Sequence, residues 1–216
     1  MNHLAVLARW PEPGKVKTRL SPALSPAAAC DLHRAMLADA LAVAAAAPAD
    51  QRTLWWADAP PDRSAFAPPA GFEVRDQGAG DLGERLGRVF DALLAAPGDH
   101  AVVIGTDCPD LGARHITAAF EALTHNDLVM GPASDGGYYL IGLSRAAPKL
   151  FRGLAWGTGR VLDQTLMRSS GLSVARLERL EDLDTVEDLK RWSARSGRDD
   201  REAPATAAAL AASGLG

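Results

Sequence analysis

The sequence predicts an α/β domain with a mainly parallel central sheet and helices on both of its faces. Two observations carry this. Short apolar runs alternate along the chain with longer amphipathic segments, which is the pattern of successive strand–helix–strand units. One of those runs, residues 101–105 (AVVIG), is wholly apolar, β-branched and short, as a strand buried on both faces should be.

Taken in order, residues 3–8 (HLAVLA) read as a first buried strand. Ser25-Pro26 then opens a long alanine-rich helix to about residue 47. Ser25 is its N-cap, and Pro26 takes the first helical position, where its missing N–H costs nothing. Residues 53–57 (TLWWA) and, more weakly, 72–75 read as strands, with a proline-rich surface loop at 59–70 between them. Residues 81–96 carry leucines and Val89 at helical spacing, with Pro97-Gly98 as the stop. Beyond the strand at 101–105 the pattern predicts a helix at 113–124, strands at 128–130 and 138–143, a helix at 158–170, a strand at 172–177 and a helix at 186–192. No internal repeat is visible. From Ser196 the chain turns charged and then alanine-rich, so residues 1–195 read as one domain and 196–216 as a loose tail or a terminal helix.

Composition excludes several classes. The 216 residues are 47% hydrophobic and 23% charged, the balance of a globular chain with a sizeable core. A net charge of −4 leaves no basic excess to neutralise phosphate, which argues against a general nucleic-acid binder. No apolar run approaches the roughly 20 residues that span a bilayer, and the N-terminus lacks the positive region of a signal peptide. Cys30 and Cys108 lie far apart and form no CxxC pair. Neither a disulfide framework nor a cysteine zinc site is expected, and a cytoplasmic location fits. His3, His33, His100, His115 and His125 show no metal-ligand spacing and read as surface or core residues.

Chemistry concentrates in five stretches. In the loop after the first strand, Lys15, Lys17 and Arg19 fall within five residues, at the strand end where open α/β sheets bind ligands. Such cations can neutralise a diphosphate or triphosphate, Arg as a fork and Lys as a point charge; a solvated basic turn is the alternative. The loop is not a Walker A loop, because Arg9 stands where its first glycine belongs and Val16 where Ser or Thr belongs. Gly78-Ala79-Gly80-Asp81-Leu82-Gly83 matches G-x-G-x-x-G, but it does not close the first strand–helix unit and no ribose-binding acid follows. Its free backbone N–H groups could face a nucleotide, or the glycines could serve a turn and close helix packing by Gly83 and Gly87.

Asp107 ends the strand at 101–105 and so sits at the ligand edge of the sheet. Its carboxylate suits a hard divalent cation that keeps phosphate oxygens as its other ligands. Asp110 is better placed than Asp107 to cap the helix that follows. Cys108 has no histidine partner, and the adjacent carboxylate raises a thiol pKa, so it reads as a small buried residue rather than a nucleophile. In Ser134-Asp135-Gly136-Gly137, the glycines allow close backbone approach to a ligand and Asp135 can accept from a sugar or acceptor hydroxyl; a hairpin turn with an Asx-turn explains the same residues. In the acidic stretch 181–188, Asp184 either joins Asp107 at a metal site or, like Thr185, caps the last helix.

Six short motifs occur in a fixed order: Pro13-Gly14-Lys15-Val16-Lys17-Thr18-Arg19-Leu20, Gly80-Asp81-Leu82-Gly83-Glu84-Arg85, Gly105-Thr106-Asp107-Cys108-Pro109, Asp135-Gly136-Gly137-Tyr138-Tyr139, Trp156-Gly157-Thr158 and Asp182-Leu183-Asp184-Thr185. Together they resemble the radical-SAM/selenodomain-associated transferase family, also described as arsenosugar-biosynthesis glycosyltransferases. That family is similar in turn to the molybdopterin- and phospholactate-guanylyltransferases. The resemblance spans about residues 4–192. It implies the three-layer, Rossmann-like nucleotide-diphospho-sugar transferase (GT-A) fold. It further implies that Asp107 and Asp184 hold Mg²⁺ or Mn²⁺, and that Lys17 and Arg19, with Lys15, meet the phosphates. Leu82 and Gly83 would lie near the base, and Asp135, Gly136 and Gly137 on the acceptor side. One departure stands out: Asp107-Cys108-Pro109 offers a single carboxylate in place of a D-x-D, with Asp110 one turn on.

Three functions compete. The first is a metal-dependent glycosyltransferase that moves a sugar from a nucleotide-diphospho-sugar to a small acceptor. The second is a nucleotidyltransferase, in which an acceptor phosphate attacks an NTP and the loop cations stabilise the departing pyrophosphate. The third is a non-catalytic nucleotide-binding module, for which loss of the metal acids would speak, and Asp107 and Asp184 are both present.

Overall fold

In this computed structural model, which describes residues 1–195 and 203–213, the central strands form where apolar residues alternate between two buried faces. In β1 (Asn2–Arg9) and β4 (His100–Ile104), Leu4, Val6, Val102 and Ile104 enter one apolar cluster, while Ala5, Ala101 and Val103 enter another on the opposite face. With β2 (Gln51–Ala57), β3 (Phe72–Asp76), β5 (Leu128–Pro132), β6 (Tyr138–Leu143) and β7 (Val174–Arg176) they build a seven-stranded sheet in the order β3-β2-β1-β4-β6-β5-β7. All strands run parallel except β6, which is antiparallel to both β4 and β5. The reason is local: residues 133–137 are too few for a crossover, which needs a dozen or so, and can only turn the chain back.

Two helical layers cover the sheet. Leu37 and Leu41 of α1 (Pro26–Ala46) and Ile116 and Phe120 of α3 (Ala113–Leu123) pack on one face. Leu86, Val89 and Phe90 of α2 (Leu82–Leu93) and Leu162 of α4 (Val161–Arg168) pack on the other. Ser25 caps α1 by accepting from the Ala28 N–H at 3.2 Å, as its sequence predicts. Asp81 and Glu84 form a capping box at the start of α2. A third cluster lies outside the sheet, where α5 (Val186–Ser193) and α6 (Pro204–Ala212) meet α1 around Leu32, Met36, Leu189, Trp192 and Leu210. There the buried carboxylate of Asp39 accepts from the Ala205 N–H at 3.0 Å, from the Thr206 N–H at 2.8 Å and from the Thr206 hydroxyl at 2.6 Å. The terminal stretch thus contains a helix anchored on α1, while residues 196–202 and 214–216 of the expected tail lie outside the described residues. Among the described residues no helix is long and apolar enough to cross a membrane.

Three expectations of detail need correction. The helix expected at 158–170 is confined to Val161–Arg168: Arg160 holds the N-cap position with a non-helical backbone (φ −116°, ψ 2°), and just past the C-cap Ser169 the chain turns through a left-handed Gly171 (φ 83°). Gly112 occupies the N-cap position of α3, and Asp110 pairs instead with Arg195 at 2.5 Å. Of the two glycines expected to allow close helix packing, only Gly83 does so. A Cβ there would lie 2.2 Å from the Phe151 carbonyl oxygen, whereas one on Gly87 would meet nothing within 4 Å.

The two glycines of α2 therefore predict opposite outcomes. Gly83→Ala should destabilise the fold by about 1–3 kcal/mol through overpacking against backbone. Gly87→Ala should stabilise it by about 0.5–1 kcal/mol, since only conformational entropy changes. Urea unfolding of both variants checks this, and equal effects would contradict the packing of α2.

Candidate functional site

The parallel strands end along one edge of the sheet, and a cleft of about 680 Å³ opens there. Its floor is Gly105-Thr106-Asp107 beyond β4, and its sides come from the loop after β1, the start of α2, the β5–β6 turn and the segment before α5. The segment 182–184 is sewn into place on two sides. The Leu183 N–H donates to the Asp107 carbonyl at 2.8 Å. The Asp182 carboxylate accepts from the Ser134 hydroxyl at 2.7 Å and from the Asp135 N–H at 3.1 Å. Leu183 itself is fully buried in the cluster beneath α5, which fixes the position of its backbone. This is how two acids remote in sequence, Asp107 and Asp184, reach one place.

Lys17 lies between them. Its Nζ donates to Asp107 Oδ1 at 2.5 Å and to the Leu183 carbonyl at 2.6 Å, and stands 3.7 Å from Asp184 Oδ1. The side chain is 2% exposed, and the backbone of Lys17 is left-handed (φ 48°), a conformation that costs a non-glycine residue about 1–3 kcal/mol. That strain aims the side chain inward from a loop that would otherwise point it at water. Two side chains of α1 hold the loop. His33 Nε2 donates to the Arg9 carbonyl at 3.0 Å, and the Arg34 guanidinium donates to the Pro11 carbonyl at 3.4 Å. Arg19 pairs with Asp184 Oδ2 at 2.9 Å from the rim.

The carboxylates differ in their electrostatics. Asp107 stands on the cleft floor with its side chain 56% exposed, and the protein packed around it still works to raise its pKa by desolvation. The Lys17 ammonium, helped by His33 and Arg9, outweighs that desolvation and holds the carboxyl below the usual range. Asp135 has no such cation. Burial pushes it up against the pull of its hydrogen bond from the Gly137 N–H, and the nearby carboxylates of Asp182, Asp107 and Asp184 push it further. Burial also lowers the His33 pKa, so its ring is neutral at pH 7.

The residues singled out from the sequence fall into three groups. Asp107, Asp184, Asp135, Gly137, Lys17 and Leu82 line the cleft. Gly83 and Gly136 stand behind its wall as packing positions; a Cβ on Gly136 would meet the Gly159 carbonyl oxygen at 2.2 Å. Lys15 and Arg19 do not line the cleft: Lys15 pairs with Glu12 at 2.9 Å in a neighbouring depression, and Arg19 reaches in only through Asp184. Two alternatives open in the sequence are also settled. Thr185 caps α5, with Asp188 completing the capping box, so Asp184 is not the cap. The Asx-turn at Asp135 is real, its Oδ1 accepting from the Gly137 N–H at 2.7 Å, and the same residue still faces the cleft.

Several lining residues have no role at the site on sequence grounds: Arg9, His33, Gln77 and, although they stand within the six motifs, Arg85 and Trp156. His33 carried no signal, being one polar residue on a long helix. Gln77 sits just beyond β3, and its side-chain amide donates to the Ala8 and Trp55 carbonyls at 3.2 and 2.9 Å, tying three strand ends together.

For a divalent cation the donors are chemically suitable: two carboxylates and the Leu183 carbonyl, all hard oxygen ligands. No group of three or more His, Cys, Asp or Glu side chains is gathered at ligand spacing among the described residues. A cation here would complete its shell from phosphate oxygens and water.

Residues 39–158 match the profile of a family described as "Uncharacterized protein conserved in bacteria (DUF2064)". The structure is similar to that of a protein from Desulfovibrio desulfuricans G20 described as a "putative nucleotide-diphospho-sugar transferase", with a TM-score of 0.88 and 31% identity over 99% of this chain and 96% of that one. At lower identity the fold is shared with Rv0371c from Mycobacterium tuberculosis H37Rv (TM-score 0.56, 22% identity, 88% and 96% of the two chains), which has also been solved as a complex with manganese. It is shared too with a cytidylyltransferase from Leptospira borgpetersenii serovar Hardjo-bovis strain JB197 (TM-score 0.57, 12% identity, 99% and 95%). No curated protein matches the sequence.

The Cys108 thiol, pushed well above its usual range by burial and then by Asp107, gives one direct prediction. At pH 8 the native protein should react with iodoacetamide far more slowly than free cysteine does, and reactivity should appear on unfolding. Rapid native labelling at Cys108 would reopen its role as a nucleophile.

Proposed function

We infer that this chain, which belongs to the DUF2064 family, is a transferase that moves a glycosyl group from a nucleotide-diphospho-sugar to a small acceptor. One observation carries the reading: Lys17, Asp107 and Asp184 meet at the carboxyl edge of the sheet, in a cleft whose volume of about 680 Å³ suits a ligand of that size. The similarity to the Desulfovibrio protein and the order of the six motifs support it. The finer likeness to arsenosugar-type transferases rests on the motifs alone.

In this reading the donor's diphosphate lies over the loop after β1, where Lys17 meets its charge. The base lies towards Leu82 at the start of α2. Asp107 and Asp184 would hold Mg²⁺ or Mn²⁺, which when bound supplies positive charge to the leaving nucleoside diphosphate. Asp135, with its raised pKa, accepts the proton of an acceptor hydroxyl as that oxygen attacks the sugar carbon. Trp156, beside Gly83 at the start of α2, gives a flat apolar surface for a ring of the ligand. The manganese reported with Rv0371c supports a cation in this fold.

A second reading, nucleotidyl transfer from an NTP, is favoured by the buried ammonium of Lys17, which would equally stabilise a departing pyrophosphate. A thermal-shift comparison separates the two. With Mn²⁺ present, UDP-, GDP- and CDP-sugars are set against the four NTPs, and a ligand that binds the native state raises the midpoint. A shift with one nucleotide-sugar and its nucleoside diphosphate supports glycosyl transfer, and a shift with an NTP alone supports nucleotidyl transfer. No shift with any of them would sink both readings.

Two variants test the acids. Asp107→Asn should abolish turnover, by at least about a hundredfold, with the circular dichroism unchanged. Asp184→Asn should lose less activity and almost no stability, because the cap of α5 is Thr185. Normal turnover in Asp184→Asn would remove it from the machinery.

A further inference from the structure

We propose that Lys17 and a divalent cation are alternative occupants of one position, so that the protein's own ammonium holds back its cation. Lys17 Nζ touches Asp107 Oδ1 at 2.5 Å and the Leu183 carbonyl at 2.6 Å, with Asp184 Oδ1 at 3.7 Å on a further side. Three oxygens facing one point, two of them carboxylate, are the donor set of a hard divalent cation. An ammonium and a doubly charged ion cannot share that point, and a few ångströms apart they repel. The Lys17 side chain is 2% exposed, so that position is filled by the protein itself.

The strain at Lys17 points the same way. A left-handed φ of 48° at a non-glycine persists only where surrounding contacts impose it, and here those contacts are the oxygens a cation would claim. Moving Lys17 off them relieves the backbone. The fold thus keeps a tethered monovalent cation where an untethered divalent one would bind.

A consequence follows if the cleft takes a nucleotide, and this part alone rests on the reading given above. A diphosphate offers Lys17 new anionic partners and frees Asp107 and Asp184. Nucleotide and cation then strengthen one another's binding by the same factor.

The test measures Mn²⁺ binding by electron paramagnetic resonance, first with no nucleotide present. Lys17→Met should bind Mn²⁺ about ten- to a hundredfold more tightly than the wild type, the worth of one charge-assisted contact. Lys149→Ala, an exposed cation beyond the far end of β6, should leave the affinity unchanged. Equal or weaker Mn²⁺ binding by Lys17→Met overturns the proposal, and so does an equal gain in Lys149→Ala, which would mark a general charge effect. Should Lys17→Met fail to fold, the wild type serves. Its Lys17 ammonium resonance should shift as Mg²⁺ is added, and an unmoved signal at saturating Mg²⁺ overturns the proposal. A nucleoside diphosphate is then added to the wild type. If Mn²⁺ affinity does not rise while Lys17→Met still binds it more tightly, the nucleotide reading fails and the exclusion stands.

Discussion

The site hangs on one buried ammonium. Lys17 joins three segments that the chain visits far apart: the loop after β1, the end of β4 and the stretch before α5. A buried charge left without partners would cost several kcal/mol, so each of those segments is held wherever Lys17 needs it. The requirement runs both ways. Asp107 would carry a raised pKa from desolvation alone and is kept ionised by the ammonium beside it. Lys17 keeps a strained backbone because its head group is fully engaged.

Around that knot the charges are unevenly shared. Asp182 is committed to structure, accepting from Ser134 and the Asp135 N–H, and thereby keeps the β5–β6 turn against the segment before α5. Asp135 has no cation of its own, and its pKa is raised first by burial and then by the neighbouring carboxylates of Asp182, Asp107 and Asp184. At the rim, Arg9 is held by its neighbours: its Nε lies 3.4 Å from Asp58, its guanidinium donates to the Lys15 carbonyl at 3.4 Å, and its own carbonyl accepts from His33. The rim is therefore a set of residues held by one another, and the floor a set held by the sheet.

Much of this was legible in the chain. The strand at β4, its terminal Asp107, the Ser25-Pro26 start of α1 and the Asp81 start of α2 each follow from local rules: a β-branched apolar run, a cap with proline behind it, and an acid three residues before a glutamate. The partnership of Asp107 with Asp184 was visible only as two acids after apolar segments. The hydrogen bond that joins them, from the Leu183 N–H to the Asp107 carbonyl, is a backbone contact with no side-chain signature. The roles of Lys15 and Lys17 could not be separated in sequence, since both follow Gly14 closely. What divides them is the left-handed turn at Lys17, which sends one ammonium inward while Lys15 stays with Glu12. The antiparallel β6 follows from connection length, which is legible, and His33 from tertiary packing, which is not.

The anchoring of α6 carries a temporal consequence. Asp39 belongs to α1, yet its three donors belong to residues 205 and 206, which are synthesised 166 and 167 residues after it. While the central sheet is being synthesised, this carboxylate on α1 stays hydrated, and the adjoining apolar stripe of Leu32 and Met36 lacks its outer cover. Only once residues 205 and 206 have left the exit tunnel can that surface close. Until then the nascent chain exposes a patch that chaperones can recognise and that the folded molecule hides.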